Sequence, residues 1–340
     1  MKYITFTVPC YNSEDYMERC IDTLLVGDEL VEIVIVDDGS TDHTGEIADN
    51  YARNYPDIVK VIHQENGGHG AGVNAGLAAA TGLYFKLVDS DDWLDTDALK
   101  ALLDQLVQWH GVNRHPDLVI GNYLYDHLYE KKVKRMTYRN VFTPGKLCRW
   151  QDIRPFGPSQ YLVMHSLWYR TEVLRASGVR LPRHTFYVDN LFANQPLPYV
   201  KTLCYLNLDL YHYFLGREDQ SVNEQVLMKR IDQQIRVTKL VAVATDLNQL
   251  AHTQPKLARY LTRNISIMMS ISCIHLRLIG TPEAREKRDS LWQYIRTHNE
   301  KLYRNLKYKT LSGLTYLPGR LGDSLTLCGY RTARKIYQFN

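Results

Sequence analysis

The chain has 340 residues, of which 45% are hydrophobic and 23% charged. That is enough apolar material for a full core and the wrong composition for a disordered polymer. Six cysteines at positions 10, 20, 148, 204, 273 and 328 show no C-x-x-C spacing, which excludes a zinc ribbon or dithiol redox motif and fits a reducing cytosol. The net charge of +4 is uneven: residues 301–340 hold eight basic residues against Asp323 alone, +7 there and −3 elsewhere.

The first 120 residues alternate between the two periodicities. Tyr3–Val8 reads as a short strand, and Asn12 as the N-cap of a helix to about Leu25, with Asp15 three residues on. Val31–Val36 is almost wholly apolar, the pattern of a central parallel strand. A turn over Asp37–Asp42 leads into a helix to about Tyr55, and Ile58–Ile62 is a third strand. A glycine-rich turn and a small-residue helix reach Thr81, and Leu83–Val88 is the fourth strand. A helix from Asp97 to Trp109 and a strand at Leu118–Gly121 complete the series. This order predicts an α/β fold with a doubly wound parallel sheet.

Residues 122–215 read differently. Strand-like stretches at Tyr123–Tyr129, Lys132–Tyr138 and Thr202–Phe214 alternate with aromatic, Pro- and Gly-containing loops, a mixed extension of the sheet that walls a cleft. From about Val222 the pattern is helical. Leu257, Leu261, Ile265, Met268, Ile271, Ile274 and Leu278 recur at three-to-four spacing, the mark of a buried helix face. The expected organisation is therefore one domain over 1–217, with halves 1–121 and 122–217, and a helical C-terminal region over 218–340.

Four predicted strand ends carry polar or flexible residues: Pro9-Cys10-Tyr11-Asn12, Asp37-Asp38-Gly39-Ser40, Glu65-Asn66-Gly67-Gly68-His69-Gly70 and Asp89-Ser90-Asp91-Asp92. Ligands of open α/β sheets bind at such ends. Pro9 and Tyr11 offer flat surfaces for a base, and Asp38 can accept a hydrogen bond from a pyrimidine N–H. Gly68 and its neighbours let backbone N–H groups approach a ligand. Three carboxylates within four residues repel one another unless a cation or a shared proton compensates. Asp89 and Asp91 accordingly read as holding Mn²⁺ or Mg²⁺ on a diphosphate. Gly70-Ala71-Gly72-Val73-Asn74-Ala75 also satisfies G-x-G-x-x-A, but it does not follow the first strand, which counts against a dinucleotide fingerprint.

Taken together, Thr7-Val8-Pro9-Cys10-Tyr11-Asn12, Ile33–Asp42, Asn66-Gly67-Gly68, Asn74-Ala75-Gly76, Ala80-Thr81-Gly82 and Asp89-Ser90-Asp91-Asp92 resemble the family 2 glycosyltransferases of GT-A fold, over roughly residues 3–110. The resemblance implies a mixed-sheet GT-A domain and an inverting, metal-dependent transfer from a nucleotide sugar, most simply a UDP-sugar. The acceptor it implies is a hydroxyl of a surface polysaccharide, teichoic-type polymer or lipid-linked glycan. It assigns the nucleobase to Asp38, the ribose side to Asp89, and Mn²⁺ or Mg²⁺ to Asp91, with Ser90 among the donor-binding residues. One departure is Val73, where the family often has Arg before the Asn.

The general base that the resemblance implies is the Asp of a Glu-Asp pair before a short helix, matched here by Asp189, with Val188 in place of the Glu. Loss of that like charge is expected to lower the basicity of Asp189. His212 and Arg217 fall where related enzymes place a segment over the diphosphate, as a metal ligand and a phosphate partner. His165, Trp93, Trp168 and Lys86 are softer candidates, each equally readable as core. The basic, aromatic tail has two readings, a peripheral contact with an anionic membrane or a helix packed on the domain with its charges in water. No recognised nucleic-acid motif accompanies the charge. The expected location is cytoplasmic, at the inner face of the membrane if the tail binds it. The opening strand pattern leaves no room for a signal peptide, and no run approaches a membrane span. Two rivals remain: a catalytically silent sugar-nucleotide-binding scaffold, favoured by Val188, and a nucleotidyltransferase, disfavoured by a first turn with neither glycine nor basic residues.

Overall fold

The computed structural model describes residues 1–127, 132–158, 160–215, 224–317 and 319–337. The chain forms two compact units, Met1–Gly216 and Arg217–Asn340. In the first, the chain runs β1 (Ile4–Cys10), α1 (Met17–Leu25), β2 (Val31–Asp37), α2 (Thr44–Asn54), β3 (Val59–His63), α3 (His69–Ala79) and β4 (Tyr84–Leu87). It continues through β5 (Trp93–Leu94), α4 (Thr96–Gly111), β6 (Leu118–His127), β7 (Lys132–Met136), β8 (Leu147–Cys148), β9 (Leu167–Arg170), α5 (Thr171–Ala176), α6 (Asp189–Asn194) and β10 (Leu203–Leu215).

One sheet has the order β3-β2-β1-β4-β9-β6-β10-β5, with β7 on β6 and β8 on β10. The segment β3-β2-β1-β4 is parallel, and its strands β1 and β2 are buried along their whole length, as a sheet covered on both faces requires. Strand β9 then joins antiparallel to both β4 and β6, so the sheet becomes mixed. The expected α/β doubly wound mixed sheet is the observed architecture. From β1 the chain builds outward through β2 and β3, then returns past both to lay down β4 on the other side of β1. The carboxyl ends of β1 and β4 therefore border the switch point where such sheets bind ligands.

Several boundaries differ from expectation. The first helix starts at Met17 rather than after Asn12. Asn12 has a positive φ of 49°, and its Oδ1 accepts from the N–H of Thr41 at 2.9 Å, so its side chain ties two loops together instead of capping a helix. The strands expected at 118–121 and 123–129 are one strand, β6, paired with β7 in a hairpin. Helix α4 begins one residue before the expected Asp97, with Asp95 as its N-cap accepting from Ala98.

The second unit holds α7 (Glu224–Lys229), α8 (Ile231–Val243), α9 (Leu247–Thr253), α10 (Pro255–Ile279), α11 (Pro282–His298), α12 (Glu300–Lys309) and α13 (Gly319–Tyr337). Pro255 opens α10 and Gly280, at φ 72°, ends it, the usual asymmetry of helix termini. The predicted stripe holds for Leu257, Leu261, Ile265 and Met268, then drifts to Ser272, Cys273 and Leu276 in place of Ile271, Ile274 and Leu278. The polar members of that face are bonded: Ser272 Oγ lies 3.0 Å from Thr238 Oγ1, and Arg277 donates to the carbonyls of Thr315 and Leu317 and pairs with Asp323. No helix among the described residues is long and apolar enough to cross a membrane, and all six cysteines are free thiols.

Candidate active site

The loops after β1 and β4 meet across the switch point, where Ser13 Oγ and Ser90 Oγ stand 2.9 Å apart. Beside them the end of β2 organises the glycine turn. The buried carboxylate of Asp38 accepts from the N–H groups of Gly67 at 2.9 Å and Gly68 at 2.7 Å, and from Gln64 Nε2 at 2.5 Å. Gly68 has φ 79°, and a Cβ there would stand 3.1 Å from the backbone of His184, so both conformation and space demand glycine. Asp37, adjacent, accepts from the N–H of Ser40 and lies 2.9 Å from His63 Nδ1.

Helix α3 begins at the glycine turn, and its first residue, His69, points into the acidic cluster: His69 Nε2 lies 2.9 Å from Asp89 Oδ1. Burial opposes protonation of His69, but its bond and proximity to Asp89 outweigh burial and raise its pKa. Burial pushes Asp89 upward, and the same contact holds it below the ordinary carboxylate value. Asp92 is different. It is buried, accepts from the Tyr211 hydroxyl at 2.5 Å and the N–H of Phe214 at 2.8 Å, and burial plus the charges of Asp91 and Asp89 push its pKa well up.

A buried lysine lies beneath this cluster. Lys86, fully buried in β4, donates to the carbonyls of Met164 at 2.9 Å and His165 at 2.6 Å. Its Nζ sits over the rings of Trp168 and Tyr211 at 4.3 and 4.6 Å, and burial lowers its pKa well below the ordinary lysine value, with Asp89 and Asp92 opposing the shift. It fixes the one-turn segment Met164–Ser166, and with it His165. Burial lowers the His165 pKa to about 3, so the imidazole is neutral. Its Nδ1 is buried without a hydrogen-bond partner and faces Asp92 Oδ2 at 4.0 Å. Asp89, Asp92 and His165 offer donor atoms that all lie within 4.8 Å of one another. Two hard oxygen donors, one of them in the carboxyl group of Asp92 that is pushed toward neutrality, and one neutral imidazole with an orphaned nitrogen suit a divalent cation.

Asp189 is the first residue of α6 and half-buried. Burial raises its pKa to about 6, with Asp89 adding to the rise and His69 opposing it. The rise comes from burial and does not need the like charge that a Glu at position 188 would supply.

The remaining predicted residues are placed as follows. Tyr11 is 53% exposed, a ring presented at the crevice. Pro9 is buried, and a Cβ on Gly72 of α3 would stand 2.9 Å from its Cβ, so its ring serves packing rather than offering a flat surface. Asp91 is half-buried on the turn and is not one of the three converging donors. His212 faces away from Tyr211 and Tyr213, as alternation along β10 requires. Its Nδ1 lies 3.2 Å from Asp126 Oδ2, and its ring stacks on Trp93, which carries Arg19 on top. It stands apart from the converging donors for that reason. Arg217 lies outside the described residues. Sequence reasoning missed Tyr211, whose hydroxyl both donates to Asp92 and accepts from the N–H of Asp89 at 3.2 Å. The alternation of Tyr211 and Tyr213 with His212 and Phe214 was the available signal.

Residues 5–160 match the family model described as Glycosyl transferase family 2. Glycosyltransferase GlyA of Streptococcus pneumoniae serotype 4 is 34% identical over 163 residues, 45% of this chain and 23% of that protein. Putative glycosyltransferase EpsH of Bacillus subtilis is 30% identical over 216 residues, 62% of this chain and 60% of that protein. The poly(ribitol-phosphate) beta-glucosyltransferase of Bacillus spizizenii is 34% identical over 223 residues, 64% and 32% respectively. The chain thus spans less than two thirds of the length of each of these relatives. Among solved structures, S. aureus TarS 1–349 in complex with UDP-GlcNAc superposes with a TM-score of 0.66 at 22% identity, covering 99% of this chain and 92% of that one. This likeness establishes the GT-A type of fold.

Proposed function

We propose that the chain, whose residues 5–160 match the glycosyl transferase family 2 model, transfers a sugar, with inversion, from a UDP-sugar to a hydroxyl of a teichoic-type, surface-polysaccharide or lipid-linked acceptor. The observation that carries this reading is the convergence of Asp38, the glycine turn, Asp89 and Asp189 on one strand-end crevice. The UDP-GlcNAc complex of TarS and the substrate named for the Bacillus spizizenii relative support the donor and acceptor classes.

In this reading Tyr11 stacks on the base, while Asp38 shapes the glycine turn and leaves its remaining lone-pair directions for a pyrimidine N–H. Ser90 and Asp89 face the ribose. A divalent cation, Mn²⁺ or Mg²⁺, would be held by Asp89 with Asp91 or with Asp92 and His165, and would supply charge neutralisation of the diphosphate. Asp189, poised near 6, accepts the proton of the acceptor hydroxyl as its oxygen attacks the anomeric carbon and the bond from that carbon to the diphosphate breaks, releasing UDP. Arg217 is proposed to meet the diphosphate. The reaction belongs in the cytoplasm, where nucleotide sugars are made.

Incubation with UDP-, GDP- and dTDP-sugars in the presence of Mn²⁺ tests the reading. Free nucleotide should be released from a UDP-sugar by transfer or slow hydrolysis. Absence of both release and thermal stabilisation with every donor would refute it. Val188 favours a second reading, a silent nucleotide-sugar-binding subunit, which predicts stabilisation without release.

A further inference from the structure

In the second unit, four large apolar side chains stand in water within one short stretch of chain: Tyr308 at 70%, Leu311 at 79%, Leu314 at 53% and Leu325 at 63% exposure. They are brought together by packing rather than by sequence alone. The turn Leu311–Tyr316 folds back on the last turn of α12, where Ser312 Oγ donates to the carbonyl of Leu306. Helix α13 closes on that turn through Thr326, whose Oγ1 donates to the carbonyl of Leu314 at 3.1 Å. The result is a ridge of apolar tips on a well-bonded base.

The ridge is ringed by positive charge. Lys301, Arg304 and Lys309 are exposed on α12, and Lys307 lies over the Tyr316 and Tyr308 rings at 3.9 and 5.1 Å. Two acids border it: Glu300 at the start of α12 pairs with Arg304 and Arg296, and Asp323 is engaged by the buried Arg277. Scattered exposed apolar residues need no explanation, but a contiguous set inside a basic rim does.

We propose that this ridge docks on an anionic phospholipid surface, with the apolar tips entering the acyl boundary and the lysines and Arg304 at the headgroups. Charge complementarity selects that occupant. A second copy of the chain meeting the ridge across a two-fold axis would oppose one basic rim to another. The inference does not depend on the catalytic reading.

Co-sedimentation of the full chain with phosphatidylcholine vesicles, with and without phosphatidylglycerol, tests it. Pelleting is expected only with the anionic vesicles and should be reversed by salt. The Leu311→Glu/Leu314→Glu double variant, altered only at exposed positions, should keep its melting temperature and lose about tenfold or more in partitioning. Lys301→Glu/Lys309→Glu, also at exposed positions, should behave alike. Three results would overturn the proposal: no pelleting with anionic vesicles, equal pelleting by the wild type and the Leu variant, or a lipid-free dimer by light scattering that the Leu variant abolishes.

Discussion

At the residue scale, a few buried charges set the chemistry. Asp189 carries a carboxyl with a pKa raised to about 6 because burial disfavours its charged form, with His69 opposing the rise and Asp89 adding to it. A base works when deprotonated, so the donor-consuming rate should rise with pH through about 6 and fall roughly tenfold per pH unit below it. Asp189→Asn should cost about 10²–10⁴ in rate while leaving UDP-sugar binding by calorimetry within a fewfold of wild type. Lys86 acts one layer down. Lys86→Met would leave the Met164 and His165 carbonyls without their donor, at a cost of about 1–3 kcal/mol each. It should lower the melting temperature and weaken Mn²⁺ binding roughly 10–100-fold by freeing His165. Unchanged Mn²⁺ affinity would sever Lys86 from the cation site. The lysine stood out in the sequence as a charge inside an apolar strand. Its partners did not, because they are backbone carbonyls of a segment 78 residues away.

At the scale of elements, α3 shows how the site is brought close. A Cβ on Gly76 would lie 2.1 Å from Thr7 Cγ2, and one on Gly72 would lie 2.9 Å from Pro9 Cβ. Small residues at one-turn spacing thus let the helix rest on β1 and deliver His69 to Asp89. Gly76→Val should destabilise the chain by about 1–3 kcal/mol or more through overpacking, readable as a lower midpoint in urea. The helix was legible from its small residues and the strands from their apolar runs. The start of α1 was not, because Asn12 is a good N-cap by residue type and only the three-dimensional closeness of Thr41 gives its side chain another use. His212 failed for a related reason: position near the site was legible, but the face of β10 it occupies depended on a register broken by irregularities between Tyr205 and Tyr211.

At the scale of the whole molecule, the strand order places four polar strand ends around one switch point, and that much followed from the βαβ rhythm and the motifs between residues 7 and 92. The convergence of Asp92, His165 and Tyr211 did not, since it joins β4 to elements more than 70 residues downstream through burial and hydrogen bonds that leave no periodic trace. The charge asymmetry seen in composition acquires a location, a basic rim around exposed apolar tips on the second unit. The central claim is that this crevice transfers a sugar from a nucleotide donor with Asp189 as base. Its most direct test is the pH–rate profile of UDP-sugar turnover for wild type and Asp189→Asn. The account predicts an ascending limb near pH 6 in the wild type, abolished together with the rate in the variant while donor binding persists. An Asp189→Asn variant that turns over donor at the wild-type rate with the same pH profile would contradict it.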